Sequence, residues 1–163
     1  MNTKLVGIYM NDHLAGSTVG LELAKRAASS NEGTKLGDFL EGLAGEIESE
    51  RETLKSMMDH LGVSQNRIKV PVAWAAEKVG RLKPNGQLTG YSPLSRLVEV
   101  EGLVLGVTGK LGLWRALAAS IDDLSTFDLE GLIEQARRQR DDLERHRMQA
   151  AQEAFSAPMP AEA

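Results

Sequence analysis

Four long stretches of the chain place apolar residues at the spacing of an α-helix, and this pattern restricts the fold more than any other feature. The first stretch runs from about residue 4 to 29 and the second from about 36 to 61. The third begins at Ser92-Pro93, where serine can cap a helix and proline suits its first turn. The fourth runs from about residue 127 to 155. The sequence therefore predicts an all-α protein with four long helices.

The connections between these helices predict their arrangement. Residues 29–34 and 121–126 are short connections, which make the helices that they join antiparallel neighbours. The connection over residues 63–91 is too long for a hairpin turn, and the segment after Pro71 can form a short helix. We expect a four-helix bundle of two antiparallel hairpins joined by a long crossover that contains a short helix. This single domain would cover residues 1–155, with a disordered tail over 156–163.

This helix order and long second connection resemble the ferritin-like four-helix-bundle superfamily over residues 4–155. The resemblance implies a di-metal centre in the middle of the bundle, which requires Glu-x-x-His on two of the helices. The chain has no such motif: the residues three positions after Glu46, Glu50 and Glu144 are Ser49, Thr53 and Arg147. We therefore interpret the chain as a superfamily member without the di-metal ligand motif, and expect no metal or other cofactor.

Polar residues nevertheless fall on the predicted inner faces near the middle of the bundle. Asp12 lies in the middle of the apolar face predicted for the first helix, which consists of Leu5, Ile8, Tyr9, Ala15, Val19, Leu23 and Ala27. Folding the first hairpin about its turn brings Arg51 level with Asp12. A buried carboxylate needs a partner, so we predict an ion pair between these two side chains, with Glu50 close by. Folding the second hairpin in the same way brings His146 and Arg147 level with Glu101.

We interpret these positions as one buried polar layer that fixes the register of the helices. Its predicted members are Asp12, Glu50, Arg51, Glu101, Gln139 and His146. The alternative interpretation is a metal site with an atypical ligand set. Its candidate ligands are Asp12, Glu50, Glu101 and His146.

The third helix is apolar on two sides, and one of them carries a line of glycines. Two polar strips separate these sides, and one of the strips is formed by Glu99 and Lys110. Gly102, Gly106 and Gly109 share this line, although each glycine inside a helix costs about 1 kcal/mol relative to alanine. Two apolar sides require cover on both. The glycine side can pack against the predicted short helix around Trp74, against a second copy of the chain, or around a small ligand. We take Gly102, Gly106, Gly109 and Trp74 as a possible interface.

Composition excludes several functions. Cysteine is absent, which excludes disulfides and thiolate chemistry and favours the cytoplasm, and no secretory signal peptide is recognisable. The net charge of −4 disfavours nucleic-acid binding, and no apolar run is free enough of charge to span a membrane.

Basic residues in the long connection form a patch that could bind an acidic partner, or could simply be a solvated face. They are Arg67, Lys69, Lys78, Arg81 and Lys83.

No catalytic motif or pair of nucleophile and base can be nominated from the spacing of residues. The sequence therefore favours a non-enzymatic helical-bundle protein that acts through protein–protein contacts or self-association, for instance as a homodimer. The alternative is a ferritin-like metal-binding protein or di-metal oxidoreductase with the atypical ligand set. A small-molecule carrier is a third possibility.

Overall fold

The computed structural model describes residues 2–65 and 91–156, which form four long α-helices and no β-strand. The helices are α1 (Thr3–Ser30), α2 (Lys35–His60), α3 (Pro93–Ser120) and α4 (Leu129–Ser156), with a short 3-10 turn over Asp122–Leu124. The prediction of an all-α chain with four long helices is confirmed. The predicted short helix, the basic patch and Trp74 lie outside the described residues, as does the tail after Ser156.

Local sequence signals set the helix ends. The side chains of Thr34 and Ser92 accept hydrogen bonds from backbone N–H groups in the first turns of α2 and α3. Gly62 follows α2 with a φ of +67°, a conformation that glycine adopts without strain. The predicted start of the third helix at Ser92-Pro93 therefore agrees with the structure.

The helices pack as two antiparallel hairpins, α1 with α2 and α3 with α4, and α1 also packs against α3. The end of α2 lies beside the turn between α3 and α4, where His60 Nε2 is 2.9 Å from the carbonyl oxygen of Asp123. The start of α3 lies at the other end of the bundle, where Asn31 Nδ2 donates to the hydroxyl of Tyr91 at 3.0 Å. Helices α2 and α3 therefore run parallel.

The apolar core consists of two clusters, one toward each end of the bundle. One surrounds Trp114 and includes residues from the start of α1, the end of α2 and the turn between α3 and α4. The other surrounds Leu40 and Leu143, near the opposite turn. Buried polar side chains lie between the two clusters, with Glu50 and Gln139 each 3% exposed. The middle of the bundle is therefore polar.

The apolar face predicted for α1 is wrong in its first half. Leu5 and Ile8 belong to that predicted face but are 61% and 51% exposed, whereas Met10 and Leu21 are buried. Apolar residues occur on both sides of this helix, so periodicity alone does not select the side that packs. An apolar surface of α1 is therefore left uncovered by the described residues.

Within residues 2–65 and 91–156, none of the helices is both long enough and apolar enough to cross a bilayer.

Candidate functional site

Three helices contribute to a polar cluster in the middle of the bundle. The ammonium of Lys110 on α3 donates to the carboxylate of Glu50 on α2 and to the amide oxygen of Gln139 on α4. The amide nitrogen of Gln139 in turn donates to Glu50 Oε1 at 3.1 Å and to Glu46 on α2. This chain of hydrogen bonds joins α2, α3 and α4, although α2 and α4 otherwise make few contacts.

Burial dominates the electrostatics of this cluster. The Glu50 side chain is 4% exposed and that of Lys110 is 15% exposed. Burial raises the pKa of Glu50, and the charge and hydrogen bond of Lys110 only partly oppose this. Burial likewise lowers the pKa of Lys110 in spite of Glu50. Each charge is therefore tolerated in the core only because the other is there.

The predicted polar layer included Glu50 and Gln139, which lie at the centre of this cluster, but missed Lys110 and Glu46. Lys110 was assigned to a polar strip at the border of the third helix. It lies three residues after Val107 and four residues before Trp114, and these two buried neighbours were the signal that could have placed it inward. A lysine at such a position is normally expected to reach solvent.

The predicted ion pair between Asp12 and Arg51 is wrong. Asp12 is exposed, and these two described side chains do not meet. Arg51 instead donates to the hydroxyl oxygens of Ser17 and Thr18, each at 3.0 Å. Side chains of a helix lean toward its N-terminus, and the N-terminus of α2 lies at the turn. Arg51 therefore reaches α1 five to six residues, or about one and a half helical turns, closer to the turn than a level pairing with Asp12 would place it.

Glu101 and His146 also lie outside the buried cluster. Glu101 is exposed and lies 3.7 Å from Arg147, so the predicted level of these two helices is right although Glu101 is not buried. His146 is half-buried, with its ring centroid 4.7 Å from that of Phe39 on α2. Burial is the main cause that lowers the pKa of His146, so the ring favours its neutral form.

A cavity of about 380 Å³ lies between α1, α2 and α3, and the Glu50–Lys110 pair is part of its wall. Gly16 and Gly20 on α1 and Gly106 on α3 line it, and a Cβ atom at any of them would meet no heavy atom within 4 Å. The missing side chains of these glycines therefore leave the cavity open. Other lining residues are mostly apolar and include Ile47, Leu54, Leu103, Val107 and Leu113.

Trp114 also lines this cavity and carries an unmet hydrogen-bond donor. The residue is 1% exposed, and its Nε1 has no hydrogen-bond partner in the described part of the chain. A buried donor without an acceptor costs about 1–3 kcal/mol, so native proteins contain few of them. The indole N–H is therefore an uncompensated donor inside the apolar core.

The glycine line of α3 has two different environments. At Gly102 an added Cβ would lie 3.2 Å from Leu23 Cδ2, so α1 approaches α3 closely there. Gly106 and Gly109 are both exposed with open space around them, and Gly106 also borders the cavity. Leu105, on the same side of α3, is 68% exposed. The predicted interface is thus partly an internal helix contact and partly an open surface, and its fourth member, Trp74, lies outside the described residues.

A second polar network, which the sequence did not predict, joins the helix ends near the first turn. The Tyr91 hydroxyl accepts from Asn31 and donates to Glu99 Oε2 at 2.9 Å, while Arg26 pairs with Glu99 Oε1 at 2.8 Å. Arg96 donates to Asn31 Oδ1 at 2.8 Å. Burial and the adjacent Glu99 raise the pKa of Tyr91 to about 12, so its hydroxyl stays protonated. This network holds the start of α3 on the first hairpin.

The cluster does not suit a di-metal centre. Among the described residues no three His, Asp or Glu side chains are grouped so that they could hold a metal ion. Glu46 and Glu50 come from one helix, and the ammonium of Lys110 is bonded to Glu50 at the position that a cation would need. Such an ammonium would repel a metal ion. The donor set therefore disagrees with the chemistry that the ferritin-like resemblance implies.

Comparisons with known proteins add no relative: no family model matches the chain, and no curated protein or solved structure matches it either. The geometry of the cavity and of the polar cluster therefore carries the functional argument.

Proposed function

We propose that the protein is a non-enzymatic binding protein that holds one small, largely apolar molecule in the cavity between α1, α2 and α3. The observation that carries this proposal is the cavity itself, about 380 Å³ with mostly apolar walls. Small-molecule sites are typically concave and apolar with a few polar groups, and range over about 300–1,000 Å³. A cavity of about 150 Å³ is enough to bind benzene, so this one has room for two or three rings.

The two cations of the cavity wall are bonded to other groups of the protein, which favours binding over catalysis. Lys110 bonds to Glu50 and Gln139, and Arg51 bonds to Ser17 and Thr18. A catalytic base or nucleophile must instead be directed at its substrate. The bonded groups can close one end of a ligand site, and the apolar walls can supply the affinity.

Fluorescence titration with N-phenylnaphthylamine, a neutral apolar probe, tests the proposal. Gly106 and Gly112 are both exposed positions of α3 with open space around them, but of the two only Gly106 lines the cavity. Gly106→Leu therefore places a side chain at the cavity, and Gly112→Leu is the matched control. We expect the wild type and Gly112→Leu to bind the probe, and Gly106→Leu to bind at least about tenfold more weakly, which corresponds to about 1.4 kcal/mol. Equal binding by the two variants would place the probe elsewhere and refute the proposed site.

Self-association is the second candidate function, and the exposed apolar side chains favour it. Leu5, Ile8 and Leu105 are each more than half exposed, although large apolar residues usually bury most of their surface. Two copies that pack through α1 and α3 would cover them. Analytical ultracentrifugation of the wild type and of Ile8→Gln/Leu105→Gln tests this, because a dimer should weaken in the variant. A wild type that stays monomeric at high micromolar concentration excludes it.

We also infer the ferritin-like topology for the whole chain. The parallel course of α2 and α3 supports it, because the connection between them must then start at one end of the bundle and finish at the other. Cross-linking followed by mass spectrometry tests this topology: lysines in the connection should react with partners along the length of the bundle. Cross-links confined to one end would contradict it.

A further inference from the structure

We infer that the molecule in this cavity is a monocarboxylate, with a compact apolar body and one carboxylate group that binds the guanidinium of Arg51. This inference rests on the proposed function and names the chemical class of its ligand. The two cations of the cavity wall differ in their partners. Within the part of the chain that the structure describes, Lys110 pairs with a carboxylate, whereas Arg51 bonds only to neutral hydroxyl groups.

The hydrogen bonds of Arg51 occupy one edge of its guanidinium. Nε donates to Ser17 Oγ and Nη2 donates to Thr18 Oγ1, each at 3.0 Å. Both hydroxyl groups in turn donate to the backbone carbonyl of Leu14, so they offer their lone pairs to the guanidinium. These contacts supply no negative charge. They therefore hold the side chain in place against α1 and leave its charge available to a ligand.

The other edge of the guanidinium is open to a bound molecule. Arginine carries five N–H donors in a planar fork, and the end formed by Nη1 and Nη2 matches the two oxygens of a carboxylate. Nη1 of Arg51 makes no hydrogen bond to the described residues, and unlike the indole Nε1 of Trp114 it is not enclosed by the protein. Arg51 and Ser17 both line the cavity, so the contact between them forms part of its wall. A carboxylate in the cavity can therefore reach this edge.

The neighbouring charges leave Arg51 as the place for an anion. Lys110 is already paired with Glu50, so an anion there would compete with a buried carboxylate. Asp12 also lines the cavity, but it is exposed and does not meet Arg51, so solvent screens its charge. Glu52, the next residue after Arg51, is exposed and pairs with a lysine of the same helix. A carboxylate at Arg51 therefore gains a counter-charge without separating an existing ion pair.

The apolar body of the ligand follows from the rest of the lining. Ile47, Leu54 and Val107 present aliphatic side chains, and Gly16 and Gly20 present backbone without side chains. Such surfaces bind an apolar body by removing it from water. The half-buried position of Arg51 lets the carboxylate keep part of its hydration, which limits the cost of bringing its charge to the cavity. A rigid body of two fused rings with one carboxylate suits both parts of the wall.

The anion 2-naphthoate and the neutral 2-naphthamide form a matched pair of probes for this inference. They share the fused rings and a carbonyl group, and only naphthoate carries a charge. We expect wild-type protein to bind naphthoate about tenfold more tightly than naphthamide in isothermal titration at pH ~7, since a hydrogen bond to a charged group is typically worth at least this much. Equal affinities of the wild type for both probes would overturn the inference while leaving the proposed site intact.

Two variants of α2 separate the role of Arg51 from that of net charge. Arg51→Gln removes the charge but keeps an amide that can donate to the hydroxyl groups of α1, and the preference for naphthoate should disappear. The control Lys55→Gln removes a cation one turn along the same helix that does not line the cavity, and the preference should persist. A preference that survives in Arg51→Gln, or that falls equally in both variants, overturns the assignment to Arg51.

An NMR measurement on the wild type keeps the test independent of how well Arg51→Gln folds. The Nε–H signal of Arg51 can be assigned along its own side chain. Bound naphthoate should move this signal further downfield than bound naphthamide does, because the rings are the same and only the carboxylate adds an ionic hydrogen bond. The same position with both probes bound overturns the inference. If neither probe binds wild-type protein, or if Gly106→Leu binds both as well as the wild type does, the proposed cavity site itself fails, and this inference with it.

Discussion

Replacing Lys110 with methionine tests how much the buried Glu50–Lys110 ion pair contributes to the free energy of unfolding. Methionine retains the length and apolar stem of lysine but removes the ammonium. The Glu50 carboxylate, which is 4% exposed, then keeps only the hydrogen bond from Gln139 at 3.1 Å. Removing one partner of a buried ion pair typically destabilises a protein by about 3–5 kcal/mol. Because Gln139 still donates to Glu50, we expect a loss near the lower end, about 3 kcal/mol at neutral pH.

The loss should depend on pH in a defined direction. In the wild type the pKa of Glu50 is raised by burial, so the folded state holds this proton more tightly than the unfolded chain does. Its contribution to stability is therefore fully present below the unfolded pKa and is lost as the pH rises through the folded pKa. Without Lys110 the folded pKa rises further, because the charge and hydrogen bond that oppose the rise are gone. The deficit of Lys110→Met should be small near pH ~4 and complete near pH ~8.

Urea unfolding, followed by the circular dichroism of the helices at both pH values, measures this deficit. The matched control is Lys55→Met, which removes the lysine of an exposed pair with Glu52 on α2 and should change stability by less than about 0.5 kcal/mol. The double variant Glu50→Gln/Lys110→Met removes both charges and should recover stability to within about 1 kcal/mol of the wild type, without the added pH dependence. A deficit of Lys110→Met that is equal at both pH values would refute the reasoning.

Three further substitutions test the surrounding structure by the same unfolding measurement. Tyr91→Phe removes the hydroxyl between Asn31 and the buried Glu99, and should cost about 1–3 kcal/mol. Gly37→Ala would place a Cβ against the backbone carbonyl of Asn31, which cannot move aside cheaply, and should also cost about 1–3 kcal/mol. Gly16→Ala adds a methyl group where no atom lies within 4 Å, and should instead stabilise the protein by up to about 1 kcal/mol. The critical outcome is that Gly37→Ala lowers the free energy of unfolding whereas Gly16→Ala raises it.

Sequence reasoning predicted the helices because their signals are local. Apolar periodicity and the Ser92-Pro93 start depend on residues within a few turns of one another, and the structure places the helices accordingly. The packing face of α1 was not predictable in this way, because Leu5 and Ile8 on one side and Met10 and Leu21 on the other offer similar apolar surface. Only contacts with α2 and α3 decide between the two sides.

The site was harder to predict, because it depends on where long side chains end. Pairing residues at equal distances from the turn located Glu50 and Gln139 near the middle of the bundle. The same pairing wrongly placed the charge of Arg51 at the height of its own Cα atom. The side chain instead leans toward the turn and bonds to Ser17 and Thr18. The cavity was harder still, since it arises from the space that missing side chains leave on two helices. One sequence shows the glycines but not whether a neighbour fills that space.

The glycines of the cavity suggest why the bundle leaves this space open. Gly16, Gly20 and Gly106 each cost about 1 kcal/mol relative to alanine inside a helix, and a Cβ at any of them would be accommodated. The unmet N–H of Trp114 adds a further cost. A bundle with a purely structural role would gain stability from alanine at these positions and from an acceptor beside the indole. Departures from the most stable local choice are expected where a protein binds a ligand. The proposed ligand site accounts for the three glycine costs together, because Gly16, Gly20 and Gly106 all line one cavity.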